Sequence, residues 1–203
     1  MTERVYTRGY TLPPPDRREV LRYAGGGELS DGTATLLDGV IADAKDIFTP
    51  KVCYTELPIK VTDAELDLGF AVTGSLALGA LLSGCERIIL LAATVGGAAD
   101  RLMAKYSLNS PARALLLQAL GAERIEATAD AFSRDIACEM RERGLSLTKR
   151  FSPGYSDLPL DTQRDIFRVL DCQRRIGLTL NESLLMSPTK SITAIIGLKN
   201  ENN

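Results

Sequence analysis

The chain has 203 residues, 45% hydrophobic and 25% charged, which suits a globular domain with a sizeable core and excludes a disordered or fibrous chain. Lys and Arg number 24 against 26 Asp and Glu, a net charge of −2, so neither a nucleic-acid stripe nor a polybasic membrane face is predicted. Histidine is absent, which excludes Ser-His-Asp and Cys-His nucleophilic sites, the usual zinc ligand sets and an imidazole proton shuttle.

In chain order, residues 1–30 read as an N-terminal arm and residues 31–203 as one domain. The arm holds the extended Pro13-Pro14-Pro15, a helical stretch from Asp16 to Ala24, and Gly25-Gly26-Gly27 as its stop. Asp31 to Phe48 carries Leu36, Leu37, Val40, Ile41, Ala44 and Ile47 at spacings that predict an amphipathic helix. Lys51 to Val61 alternates as a strand, and Pro58 within it suggests a sheet edge. Leu68 to Cys85 runs without a charge, yet Gly69, Gly74, Gly79 and Gly84 dilute it and Asp67 and Glu86 bracket it. A buried strand, a glycine turn and a short helix fit that segment better than a membrane span. With no apolar leader after Met1, the chain reads as soluble and cytoplasmic.

Arg87 to Val95 is apolar enough for a strand buried on both faces, and Gly96-Gly97 leads into a helix from Ala98 to Tyr106. That strand, turn and helix start could cradle an anion, although it is neither a dinucleotide fingerprint nor a P-loop. Ser110-Pro111 then opens a helix reaching about Arg143 and stopped by Gly144. Leu117, Gly121, Ile125, Ala129, Phe132, Ile136 and Met140 form its apolar stripe, and Glu123, Glu126 and Asp130 its polar side, which by itself reads as a solvated face. The cysteines, Cys53, Cys85, Cys138 and Cys172, form no C-x-x-C and read as small buried hydrophobes.

The last third carries the chemistry. Ser152-Pro153-Gly154-Tyr155 is shaped as a type II turn, with Pro at its second position and Gly at its third. It would expose backbone amides and project Tyr155 from a fixed corner, while Arg150 on the approach offers a planar fork suited to a carboxylate. Strands are predicted near Ser146–Phe151, Leu178–Asn181 and Ser191–Leu198, with a helix near Asp161 to Leu170.

Arg150-x-x-x-Gly154-Tyr155, Pro159, and Ile176-Gly177-x-x-Leu180-x-Glu182-Ser183-x-x-Met186-x-Pro188-x-x-Ser191 resemble the activation domain of cobalamin-dependent methionine synthase. Ala119-Leu120-Gly121-Ala122-Glu123-Arg124-Ile125 resembles that family's A-L-A-D-R-L run more weakly. Departures are Ser156-Asp157-Leu158 in place of P-A-C and Asn181 in place of Thr.

The resemblance implies an α+β fold with a long central helix packed on a mixed or antiparallel sheet. It implies a protein that binds S-adenosylmethionine as methyl donor and reactivates cobalamin supplied by a partner. That partner would be a cobalamin-binding methionine synthase without its own activation domain, or a related corrinoid methyltransferase, with electrons from a flavodoxin- or ferredoxin-type reductant. By motif match, Arg150 would take the donor's carboxylate and Phe151, Ser152, Pro153 and Gly154 would line it. Tyr155, Glu123 and Glu182 would face cobalamin or the partner. Two other readings remain open: a docking cap that does not bind S-adenosylmethionine, and an anion- or nucleotide-binding enzyme using Gly96-Gly97.

Overall fold

The computed structural model describes residues 4–26, 30–62 and 65–200; Gly27, the last of the three glycines expected to stop the arm, lies outside them. In chain order the elements are β1 (Tyr6–Gly9), α1 (Arg17–Tyr23), α2 (Asp31–Asp43), β2 (Lys51–Pro58), β3 (Lys60–Val61), β4 (Leu66–Asp67), β5 (Val72–Thr73), α3 (Leu76–Leu81) and β6 (Cys85–Thr94). There follow α4 (Ala98–Asn109), α5 (Pro111–Arg141), β7 (Leu145–Leu147), α6 (Thr162–Leu170), α7 (Cys172–Ile176), β8 (Thr179–Leu180), β9 (Met186–Ser187) and β10 (Ser191–Asn200).

The main sheet has the order β1-β2-β6-β10-β7, and every neighbouring pair is antiparallel. Of the mixed and antiparallel alternatives, the structure takes the second. β6 is the centre: Ile88, Leu90 and Ala92 point into one core, while Ile89, Leu91, Ala93 and Val95 point into the other. A strand covered on both faces has no solvated side to mark with polar residues, hence its unbroken apolar run.

One face is covered by α5, whose Ile125, Phe132, Ile136 and Met140 share a cluster with β2, β6 and β10. The opposite face is covered by α3, α6 and α7 through Leu78, Ile166, Leu170 and Cys172. Beyond α5, a third cluster joins Val20 of α1, Leu37 and Val40 of α2 and Tyr106 of α4 to Leu116, Leu117 and Leu120. All seven apolar positions expected on the long helix are buried. Its 31 residues span roughly 45 Å, so it packs against α4, α2 and α1 and, further along, against β7.

The edge expected of Pro58 is corrected. β2 lies between β1 and β6, and the arm supplies the edge strand. Proline is tolerated there because it is the last residue of β2, beyond the stretch Lys51–Tyr54 that β1 covers. The glycine-diluted segment folds as the two-residue β5, whose Val72 is exposed rather than buried, and α3, and among the described residues no helix is long and apolar enough to cross a membrane. Cys53, Cys85 and Cys172 are buried, whereas Cys138 is exposed.

Candidate functional site around Arg150

Three features fix the turn at Ser152–Tyr155. Phe151 bridges β10, its N–H donating to the Ile195 carbonyl at 2.9 Å and its carbonyl accepting from the Ile195 N–H at 2.8 Å. Tyr155 N–H donates to the Ser152 carbonyl at 3.1 Å, closing the turn, and Gly154 has φ +84°, a conformation that favours glycine. Finally, the Gly154 N–H reaches the Leu158 carbonyl at 2.9 Å. The amides of Phe151, Gly154 and Tyr155 are therefore spent inside the fold, which corrects the expectation that the turn presents them outward. Phe151 and Pro153 are buried, so their side chains hold the corner in place.

Tyr155 projects from that corner 67% exposed, with its ring edge-on to Phe151 at 5.3 Å between centroids. Leu160, 42% exposed, packs beneath Gly154. An aromatic ring and an isobutyl group thus share one open rim.

Asp157, one of the departures from the family pattern, has a structural task. Its carboxylate accepts from the Ser75 hydroxyl and from the Leu76 and Ala77 N–H groups at 2.7 and 3.2 Å. It thereby caps α3 and ties the loop after the turn to that helix. The Ser75 hydroxyl, then these amides, hold its carboxyl below the usual aspartate range.

Arg150 extends towards α5. Its guanidinium donates to Asp130 Oδ1 at 2.7 Å, Glu126 Oε2 at 3.0 Å and Ser133 Oγ at 3.2 Å. Spacings of four and three residues place these acceptors on one helix face. The carboxylates are about half exposed, and ion pairs so placed are worth only about 0–1 kcal/mol each. The fork is held, but it can be exchanged. Beside it lies an open cavity of about 580 Å³, lined among others by Asp130, Ser133, Arg134, Lys149, Arg150 and Ile196. Of the six residues expected to contact a donor, Arg150 alone lines this cavity.

Glu182 is exposed in the β8–β9 hairpin. Its carbonyl accepts from Arg164 Nη2 at 2.9 Å, which ties the hairpin to α6. Glu123 departs most from expectation. It is only 6% exposed, forms a two-point ion pair with Arg124, and accepts from the Asp16 N–H at 3.2 Å. Arg124 in turn donates to the Pro13 carbonyl at 2.6 Å. The expectation of a solvated Glu123 facing a partner is thereby corrected: the arm folds over this stretch of α5, and the pair fastens it there.

Composition and spacing did not single out Asp130, Glu126 and Ser133 as partners of Arg150, or Asp157 as a helix cap. The available signal was an acidic pair four residues apart on a helix, in a chain with an arginine shortly after that helix ends.

An antiparallel sheet backed along one face by a single long helix, with Arg150 paired to that helix and a rigid turn projecting Tyr155 on the Phe151 side of the sheet, defines an α+β protein of the reactivation-domain fold. Among solved structures it is similar to one described as the MetH reactivation domain bound to AdoHcy, with a TM-score of 0.72 and 15% identity over 99% of this chain and 80% of that one. The model of the vitamin B12-dependent methionine synthase activation domain matches residues 83–203, and the chain belongs to that family. No curated protein matches it by sequence.

Proposed function

We propose that this protein is a reactivation subunit that binds S-adenosylmethionine at Arg150 and presents it to the cobalamin of a separate methionine synthase or related corrinoid methyltransferase. The observation that carries this reading is the rigid corner. The Phe151–Ile195 bridge fixes Arg150 at a 580 Å³ cavity, and two residues beyond it begins the turn that leaves Tyr155 exposed. Family membership and the fold shared with a domain solved with AdoHcy support it.

The donor's amino-acid end carries both a carboxylate and an ammonium. The carboxylate displaces Asp130 and Glu126 from Arg150, and the freed Asp130 takes up the ammonium. One weak set of pairs is exchanged for a better-matched one, at little cost. Tyr155 stands exposed on the far side of the turn, where its flat ring suits a flat corrin face. Glu182 stands at the partner-facing edge.

The partner's reduced cobalt, supplied with electrons by a flavodoxin- or ferredoxin-type protein, provides a nucleophile strong enough to accept a sulfonium methyl group without a general base. A protein without histidine therefore suffices, because its task is to orient the donor and exclude water.

A docking cap without donor binding is the second reading, favoured by the occupied Arg150 fork. Calorimetry with S-adenosylmethionine separates the two. The expected result is binding at about 1 mM or tighter, weakened at least about tenfold in Arg150→Ala. No binding, with or without a corrinoid partner, would leave the cap.

A further inference from the structure

We propose that the start of α4 is a phosphate-binding site, with Lys190 and Arg101 as its cations, separate from the cavity at Arg150. The Gly96-Gly97 turn delivers the chain into a 12-residue helix whose N-cap, Gly97, supplies no side-chain hydrogen bond. The first amides of a helix have no acceptor within it, and that end is its positive pole. Nothing on the turn itself answers either need.

Lys190 makes the site more than a bare helix end. It is 8% exposed, and among the described residues its ammonium has neither a hydrogen-bond nor an ion-pair partner. It immediately precedes β10, and its own carbonyl accepts from the Val95 N–H at 3.1 Å, one residue before the glycine turn. The stem then runs across α5 at Gly121, where a Cβ would stand 2.9 Å from Cγ and 3.0 Å from Cε. Only a glycine leaves room for it.

Thr189, the residue before Lys190, bonds the Asp100 carboxylate in the first turn of α4, so Lys190 lies beside that helix start, and its ammonium feels the Asp100 charge. Asp100 does not neutralise it by contact. Its two oxygens accept from the Thr189 N–H at 2.9 Å and the Thr189 hydroxyl at 2.6 Å. Arg101 brings Nη1 to within 3.6 Å of where a Gly97 Cβ would be, and its side chain likewise has no partner among the described residues.

Holding an unpaired ammonium on a stem that is almost wholly buried costs free energy, and placing it near the positive end of a helix adds to that cost. Stability alone gives no reason for the arrangement; an anion does. Two cations and a fan of amides match the several acceptor oxygens of a phosphate better than the two of a carboxylate. Gly121 and Asp130 are nine residues apart on α5, about 13 Å along its axis, which keeps this site clear of the first.

The test is titration of the full chain with inorganic phosphate, followed by calorimetry and thermal melting. Binding at about 1 mM or tighter and a phosphate-dependent rise in melting temperature are expected. Lys190→Met should bind at least about tenfold more weakly, yet melt higher than the parent in phosphate-free buffer, because the uncompensated charge is gone. A purely structural lysine would not separate the two readouts in that way. Arg101→Gln should weaken binding several-fold without loss of the fold, and Arg150→Ala should leave it unchanged. A phosphate monoester titrated in parallel distinguishes an esterified ligand, which binds tighter than the free ion, from inorganic phosphate itself; either ranking supports the site. Equal affinity in Lys190→Met, no binding at about 10 mM phosphate, or loss in Arg150→Ala would overturn it.

Discussion

Arg150 shows what a single side chain can and cannot disclose. As a residue in the sequence it offered a fork and a motif; in the fold it is held by Asp130, Glu126 and Ser133. If the freed Asp130 takes the donor's ammonium, Asp130→Asn should weaken S-adenosylmethionine binding roughly three- to tenfold, the loss of about one charge-assisted hydrogen bond. Methylthioadenosine, which has no amino-acid end, should bind parent and variant alike. If Asn tightened S-adenosylmethionine binding instead, Asp130 would be only a competitor for Arg150. The Arg150–Tyr155 motif was legible because a Pro-Gly turn can be read from four consecutive residues. The partners of Arg150 were not, because they sit 17 to 24 residues earlier on a helix whose rotation is set by packing.

At the scale of elements, the long helix and the strands β2, β6 and β10 were legible from their apolar patterns, whereas the edge strand β1 in the arm was not. β6 carries apolar side chains for two faces, and α5 keeps one stripe through about seven turns. What periodicity missed is tertiary. Glu123 has the spacing of a solvated residue, yet the arm covers it, and no local pattern encodes that a proline-rich segment more than a hundred residues away lies across it. Asp157 looked like a simple departure from a family motif, and it proves to be the cap of α3.

Asp157 also gives a pH prediction. Its folded carboxyl lies below the ordinary aspartate range, chiefly through the Ser75 hydroxyl. The unfolded chain then binds the proton more readily. The stabilisation is therefore present above the unfolded value of about 3.9 and is lost as pH falls through the folded one. Asp157→Asn should melt lower than the parent at neutral pH, and the gap should close only in strong acid. A gap unchanged down to about pH 2 would show that the carboxylate's charge is not what caps the helix.

For the molecule as a whole, the arm decides whether the fold closes. Tyr6–Gly9 cover the free edge of β2, and Arg8 reaches the Tyr54 hydroxyl at 2.5 Å and Glu139 of α5 at 2.9 Å. Val20 of α1 is fully buried against α5, and Pro13 and Asp16 complete the Glu123–Arg124 pair. Removing residues 1–24 therefore does three things at once. It bares a strand edge, opens a cavity where Val20 was, and puts a buried ion pair into water.

Burial of Val20 is worth about 2 kcal/mol, and the charged hydrogen bonds of Arg8 and Arg124 bring the total to roughly 5 kcal/mol. For a domain of this size that is a fall of about 10–20 °C in melting temperature. The bared β2 edge, with Val52 and Tyr54 already committed to the core face, should also pair with a second copy, so the truncated chain should elute as a concentration-dependent oligomer. Chromatography and a melting curve on the truncated protein read both effects. A monomer melting with the parent would mean that the arm only rests on the sheet and that α5 holds its own pair without it.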